Sequence, residues 1–157
     1  MGQESGKLAA RIDVLPVSVP NGEWTPEPVK LATYNLCSMQ APGAEASLVL
    51  QAERADVDAI GFQETRARRA FDKVYKDKWW MCSSGQPDNN SCGGCGLWIN
   101  LESVWARRGE SAVTPRRDCI HVCHVAPRLL VVKMILATAR IIFVVPHAPH
   151  KRRPKAK

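Results

Sequence analysis

The chain has 157 residues, of which 45% are apolar and 24% are charged, and this composition is ordinary for one globular domain. It excludes a collagen, a coiled coil and a wholly disordered chain. The longest apolar runs, 129–132 and 141–145, are far shorter than the ~20 residues that a membrane-spanning helix needs, so we expect no membrane partner.

The net charge of +7 is concentrated in the last seven residues, which carry five positive charges and leave +2 for residues 1–150. We interpret residues 151–157 as a basic tail. Such runs are typical of nuclear-localisation segments, of nucleic-acid-binding segments and of solvated chain ends. The amino terminus is polar and shows no secretory signal, so we expect an intracellular protein of the nucleus or the cytoplasm, not a secreted one.

Residues 1–28 contain four prolines and an Asn-Gly pair, which oppose both helix and central strand, and we interpret them as a disordered leader. Residues 29–36 predict a first strand, residues 44–55 a surface helix and residues 56–62 a short buried strand. Residues 65–78 form a basic stretch of helix or loop. Five further strands are predicted at residues 79–83, 96–101, 119–125, 129–136 and 140–145. This order predicts an α+β fold, an α/β sandwich of two packed, mainly antiparallel sheets flanked by helices.

Three polar residues directly follow apolar strands: Asn35, Glu64 and His147. A rigid sheet fixes the ends of its strands, and the site residues of layered sheet proteins collect there. A carboxylate, an amide and an imidazole brought together would suit a divalent ion and a phosphate. Taken singly, each residue is equally typical of a turn former or a helix cap.

The local sequences around these residues occur in the order and spacing of one family. The segments that carry the likeness are Lys30–Asn35, Ala55–Thr65, Gly94–Asn100 and Ile141–Pro149. On these segments the chain, from about residue 29 to residue 150, resembles the endonuclease/exonuclease/phosphatase superfamily and is most similar to its retroelement-type endonucleases. The resemblance implies a deoxyribonuclease-like fold and metal-dependent hydrolysis of the phosphodiester bonds of nucleic acid.

The resemblance also implies a role for each residue. Glu64 matches the glutamate that binds Mg²⁺ or Mn²⁺, and Asn35 matches the asparagine that orients the metal site or the scissile phosphate. His147 is similar to a histidine that contacts the phosphate or transfers a proton. Nucleic-acid binding is expected of the arginines that follow the Glu64 strand, namely Arg66, Arg68 and Arg69.

By the same resemblance, residues 29–150 are a partial domain, roughly the first half of the family's fold. The family's later Asp-x-Asn and Ser-Asp-His turns hold the attacking water and supply the principal base, and neither follows His147. We therefore expect a truncated domain whose hydrolytic activity is weak or absent. The incomplete sheets imply another chain as a partner that completes them.

The cysteines offer a different chemistry. Cys92 and Cys95 form a C-x-x-C pair, and Cys119 and Cys123 follow after 23 intervening residues, so the four could form a closed zinc site. The other interpretation, which we favour, is that they are small apolar residues of β-strands. A non-catalytic zinc- or nucleic-acid-binding module is therefore the second hypothesis, with the basic segments and the tryptophan pair at 79–80 as nucleic-acid contacts.

Overall fold

The computed structural model describes residues 8–12, 23–86 and 93–148, the first of these ranges as backbone only. These residues form a sheet-rich fold with three sheets, one α-helix and a short 3-10 helix at Arg117–Cys119. The elements in chain order are β1 (Leu8–Ile12), β2 (Thr25–Pro26), β3 (Val29–Asn35), α1 (Ala44–Arg54), β4 (Ala59–Gln63), β5 (Phe71–Tyr75), β6 (Trp79–Ser83), β7 (Cys95–Asn100), β8 (Ala106–Arg108), β9 (Ser111–Val113), β10 (Ile120–Ala126), β11 (Leu129–Ile135) and β12 (Arg140–Pro146).

The largest sheet has six strands in the order β1-β3-β4-β7-β6-β5. Only β3 and β4 are parallel neighbours, and their register sets Asn35 level with Gln63. Because parallel strands need a crossover connection, α1 links them and lies on one face of this sheet. Its buried residues Val49 and Ala52 pack in one apolar cluster with Ile60 and with both Trp79 and Trp98.

A second, antiparallel sheet has the order β10-β11-β12, and β12 contacts both β4 and β7 of the large sheet. Alternate residues of β11, which are Leu130, Val132 and Met134, are fully buried in a cluster that also contains Leu97 and Ile99 of β7. The two sheets therefore share one hydrophobic core. The third sheet is small and has the order β2-β8-β9.

The tryptophan pair of β6 belongs to the core. Trp79 and Trp80 are 1% and 0% exposed, and they lie in the apolar clusters on opposite faces of the large sheet. Neither offers an exposed ring on which a base could stack, so the hypothesis that they contact nucleic acid is wrong.

The sheet-rich, mixed character of the fold and the positions of seven predicted strands and the helix are confirmed within one to three residues. Five strands were not predicted as such, among them β8 and β9. β5 lies inside the stretch that was interpreted as helix or loop, and β1 and β2 lie inside residues 1–28, which were interpreted as a disordered leader. β1 pairs with β3 along five residues, and the two-residue strand β2 pairs with β8. In the described residues a single α-helix takes the place of the several flanking helices that were expected, and it is too short to cross a bilayer.

Candidate functional site

Three strand ends meet at Glu64. Asn35 is the last residue of β3, and Glu64 and His147 directly follow β4 and β12. Asn35 Nδ2 donates a hydrogen bond of 3.1 Å to Glu64 Oε1, and His147 Nε2 lies 3.7 Å from the same oxygen. Two of the three residues that the sequence analysis selected, Asn35 and His147, therefore both lie against the third, Glu64.

The carboxylate of Glu64 is buried among polar partners. Its side chain and that of His147 are each 6% exposed. The other carboxylate oxygen, Oε2, faces the guanidinium of Arg66 at 3.6 Å, and the Arg66 side chain is 40% exposed. A buried charge is tolerated when it is paired and hydrogen-bonded, so the amide, the imidazole and the guanidinium together allow an ionised carboxylate here.

Residues 64–66, which we call the Glu64 loop, have an unusual backbone. Glu64 and Arg66 adopt φ angles of 55° and 50°, a left-handed region that costs a non-glycine residue roughly 1–2 kcal/mol. Surrounding hydrogen bonds hold this conformation: the Thr65 N–H donates to the Gly94 carbonyl at 3.1 Å, and the Arg66 N–H donates to the Gly93 carbonyl at 3.0 Å. Strain of this kind, held by its surroundings, is typical of functional sites.

The segment that follows β3 fixes the Glu64 loop from the other side. The Met39 N–H donates to the Thr65 carbonyl at 2.9 Å, and Gln40 Nε2 donates to the Arg66 carbonyl at 2.7 Å. All four hydrogen bonds use backbone groups of the loop. They therefore restrain the path of its backbone.

Asn35 is oriented by its own chain. The Cys37 N–H donates to Asn35 Oδ1 at 3.2 Å, so this end of the amide is an acceptor and the Nδ2 end faces Glu64. Asn35 itself is exposed, whereas Glu64 is buried. The centre is therefore open to solvent on the Asn35 side.

Glycine is required where β7 approaches the Glu64 loop. Gly94 has a φ of +89°, and a Cβ atom there would lie 2.3 Å from Thr65 Oγ1. Thr65 is fully buried, and its hydroxyl shares a hydrogen bond of 3.2 Å with Ser83 Oγ. In the sequence analysis Gly94 appears only as the first residue of the family-like segment Gly94–Asn100, and the Gly-Gly pair has no structural role. The Gly-Gly pair was the available signal of a close backbone approach.

His147 is held next to the turn between β10 and β11. The backbone N–H of His147 donates to the Arg128 carbonyl at 2.9 Å, and the backbone N–H of Gly94 donates to the Pro127 carbonyl at 2.8 Å. The same turn is thus bonded to both sides of the centre. Sequence reasoning gave no role to this turn.

The three arginines predicted to bind nucleic acid are in different surroundings. Arg66 reaches Glu64, whereas Arg68 and Arg69 lie exposed in the segment between β4 and β5. Neither of these two makes an ion pair with any residue that the structure describes. Their charges are therefore available to an external anion.

The zinc hypothesis rests on Cys92, which lies outside the described residues. Cys95 is buried, and this burial raises the pKa of its thiol to about 11. Cys119 belongs to the 3-10 helix and is half-buried, whereas Cys123 is exposed at an irregularity in the pairing of β10. Over residues 23–86 and 93–148, no three His, Cys, Asp or Glu side chains are grouped to hold a metal ion.

Comparisons with family models, with the curated proteins and with the solved structures found no match. The resemblance to the endonuclease/exonuclease/phosphatase superfamily is therefore a prediction, and the geometry around Glu64 is the observation that bears on it.

Proposed function

We propose that the Glu64 centre binds a divalent metal ion and a phosphate group, in a domain of the endonuclease/exonuclease/phosphatase type that acts on nucleic acid. One observation carries the proposal: three side chains from the ends of three separate strands meet at a buried carboxylate. A lone strand-end Asn, Glu or His has an ordinary structural explanation. Their convergence on one carboxylate, which itself belongs to a strained loop, is typical of a functional site.

The residues at the centre fit Mg²⁺ or Mn²⁺ better than a soft metal. Mg²⁺ takes oxygen ligands, uses one or two carboxylates and keeps several of its waters. Glu64 supplies the carboxylate, and Asn35 holds it by a hydrogen bond on the side that is open to solvent. A bound ion would polarise a phosphoryl oxygen and stabilise the charge that develops on it.

The chain's own residues supply the remaining interactions. Arg66, close to Glu64 and partly exposed, provides a planar cation of the kind that pairs with phosphate. His147 provides an imidazole, the side chain that most often transfers protons in catalysis. Asn35 keeps the carboxylate in one orientation by its amide hydrogen bond.

We propose that hydrolysis at this centre is weak or absent. Within the described ranges, no third acidic, histidine or cysteine side chain joins Glu64 and His147 in a metal-holding group. General-base catalysis contributes roughly 10²–10⁴-fold to such reactions, and a centre without a further carboxylate to hold the attacking water forgoes much of it. Metal and phosphate binding do not depend on general-base catalysis and would persist without it.

The proposal includes the finer architecture. A shared core between the six-stranded and three-stranded sheets, with α1 on the outer face of the former, favours a two-sheet sandwich. The outer face of β12 is uncovered: Ile142 and Val144 are 65% and 58% exposed. Exposed apolar surface of this kind is typical of a protein interaction site, so it supports a partner chain that completes the fold.

The test uses Mn²⁺ binding and plasmid nicking by the full chain, with Glu64→Gln as the variant. We expect weak Mn²⁺ binding that Glu64→Gln abolishes, with little or no nicking in either protein. Glu102→Gln is the matched control, because Glu102 is an exposed glutamate paired with Lys78 away from the centre. If Glu64→Gln binds Mn²⁺ as the unchanged protein does, Glu64 is not the metal ligand. Robust nicking that persists in Glu64→Gln would also refute its role.

Nucleic-acid binding without catalysis is favoured by a separate observation, the two exposed arginines that make no ion pair in the described part of the chain. Binding of labelled DNA in EDTA, measured over a range of salt concentrations, tests it. Replacing Arg68 and Arg69 with Gln should weaken binding and reduce the salt dependence by roughly two phosphate contacts. If the salt dependence is unchanged, the phosphate contacts are made by other residues.

A further inference from the structure

We infer that a groove beside β12 binds one unpaired base of the substrate, so that the Glu64 centre takes nucleotides or single-stranded nucleic acid. The inference rests on the proposed function, because the base belongs to the nucleotide whose phosphate the centre binds. It adds a site for the base to the site for the phosphate, and it names the class of substrate.

The groove, which we call the β12 groove, has a volume of about 170 Å³ and lies between β12 and the strands β3 and β4. Ala59, Gly61 and Gln63, the alternate residues of β4 that share one face, line it together with Phe143 and Val145 of β12. β12 is the last strand of its sheet, so in the described part of the chain no further strand pairs with its free edge. The groove is therefore open to a ligand along this edge.

One end of the β12 groove lies at the Glu64 centre. Gln63 and Pro146 line this end, and the next residues along the chain are Glu64 and His147. Asn35, on the side of the centre that is open to solvent, is level with Gln63 in the sheet. Successive residues of a strand are only about 3.3 Å apart, so a phosphate held at Glu64 leaves the rest of its nucleotide beside the groove.

The lining of the groove suits a flat heterocycle. It is mainly apolar and includes the half-buried ring of Phe143, which packs edge-to-face on Trp105 with ring centroids 6.3 Å apart. Bases stack on aromatic side chains of this kind. Near the Glu64 end, Gln63 Nε2 donates a hydrogen bond of 3.0 Å to Thr33 Oγ1. The amide has a second N–H and an oxygen with two lone pairs, which supply the donor and the acceptor that the edge of a base requires.

The size of the groove decides how much of a nucleotide enters it. Pockets that enclose a drug-sized ligand have roughly 300–1,000 Å³, whereas this groove has about 170 Å³, so it takes one ring system and leaves the sugar and the phosphate outside. A base inside a duplex is stacked and paired, and it must be extracted before it can enter such a site. The groove therefore favours a mononucleotide or a single strand over an intact duplex. Its position beside the phosphate centre favours a base over a strand of a partner protein.

The test compares two ligands by calorimetry with the full chain in Mg²⁺. They are deoxyadenosine 5′-monophosphate and deoxyribose 5-phosphate, which carries the same phosphate without a base. Three variants change the groove: Phe143→Leu removes the ring, Gln63→Leu removes the amide at similar size, and Gly61→Ala adds a methyl group. The new Cβ of Gly61→Ala would lie 3.4 Å from Val145, an ordinary contact distance, so this variant is expected to keep the fold. Ile142→Ala is the control, because Ile142 is exposed and does not line the groove.

We expect the unchanged protein and Ile142→Ala to bind the nucleotide about 5- to 100-fold more tightly than the sugar phosphate, the range that corresponds to stacking of one base. This ratio should fall in all three groove variants, whereas their affinity for the sugar phosphate should not change. Equal affinities for the two ligands in the unchanged protein overturn this inference alone, since the phosphate still binds. A ratio that none of the groove variants lowers overturns it in the same way.

Two other outcomes concern what else the groove and the centre bind. A dimer, measured by sedimentation equilibrium, that all three groove variants dissociate would place a second copy of the chain in the groove and overturn the inference. Absence of binding of either ligand overturns the proposed phosphate site as well.

Discussion

Replacement of Gly94 by alanine perturbs the Glu64 loop without changing any residue proposed to bind a ligand. The new Cβ would lie 2.3 Å from Thr65 Oγ1, about 1.1 Å closer than ordinary van der Waals contact. It would also lie 3.2 Å from the backbone nitrogen of Arg66. Thr65 has no room to retreat, because it is fully buried and bonded to Ser83. Relief of the clash therefore requires movement of the loop.

The magnitude has two parts. A non-glycine residue at a φ of +89° costs about 1–2 kcal/mol, and overpacking of a buried position costs about 1–3 kcal/mol more. We expect Gly94→Ala to lower the free energy of unfolding by about 2–5 kcal/mol. Gly43→Ala separates the two parts, because Gly43 has a φ of +77° and nothing within 4 Å of its missing Cβ. It should lose about 1–2 kcal/mol.

The assay is urea unfolding followed by tryptophan fluorescence, together with Mn²⁺ calorimetry on both variants. Gly94→Ala should be less stable than Gly43→Ala, and it alone should lose Mn²⁺ affinity because the Glu64 loop has moved. Equal stabilities of the two variants within ~0.5 kcal/mol would refute the steric argument. Unchanged Mn²⁺ affinity in a destabilised Gly94→Ala would show that the loop does not position Glu64.

Two further predictions concern stability away from the centre. Asp72 accepts a hydrogen bond of 2.7 Å from the indole nitrogen of the fully buried Trp80. Asp72→Ala should therefore lower the free energy of unfolding by about 1–3 kcal/mol in the same urea assay. Asp72→Asn keeps an acceptor and should lower it by less. Equal losses in the two variants would contradict the role of the acceptor. Burial raises the pKa of the Cys82 thiol to about 12 and that of the Cys95 thiol to about 11, from 9.0. Because the unfolded chain releases these protons first, stability should be unaffected below pH 9 and fall as the pH rises from about 9 to about 12. With alanine at both cysteines, the urea midpoint should fall less steeply as the pH rises. If the variant and the unchanged protein lose stability equally with pH, ionisation of these thiols is not the cause.

Much of the sheet could be predicted because its strands carry their own hydrophobic signal. β6, β11 and β12 are continuous or alternating apolar runs that bury at least one face. β5 has no such signal, since its central residues Asp72, Lys73 and Val74 are exposed. It is a strand because it pairs along its whole length with β6, a contact that local sequence does not record.

The site was predictable to the extent that it depends on where strands end. Asn35, Glu64 and His147 each follow a strong apolar strand, and parallel or stacked strands bring such ends together. The position of Arg66 was not predictable in this way. Its guanidinium reaches Glu64 because two left-handed residues turn the chain, and a left-handed glutamate or arginine leaves no recognisable pattern in sequence.

The metal centre that we propose at Glu64 has a single carboxylate, and it depends on the position of that carboxylate because no other acidic ligand can compensate for a displacement. Here the position is set by Thr65, which lies between Glu64 and Arg66 and is fixed by Gly94, Met39 and Ser83. The buried threonine therefore fixes the backbone between the two residues of the ion pair. Changes to its contacts should therefore alter metal affinity, as the Gly94→Ala replacement is expected to do.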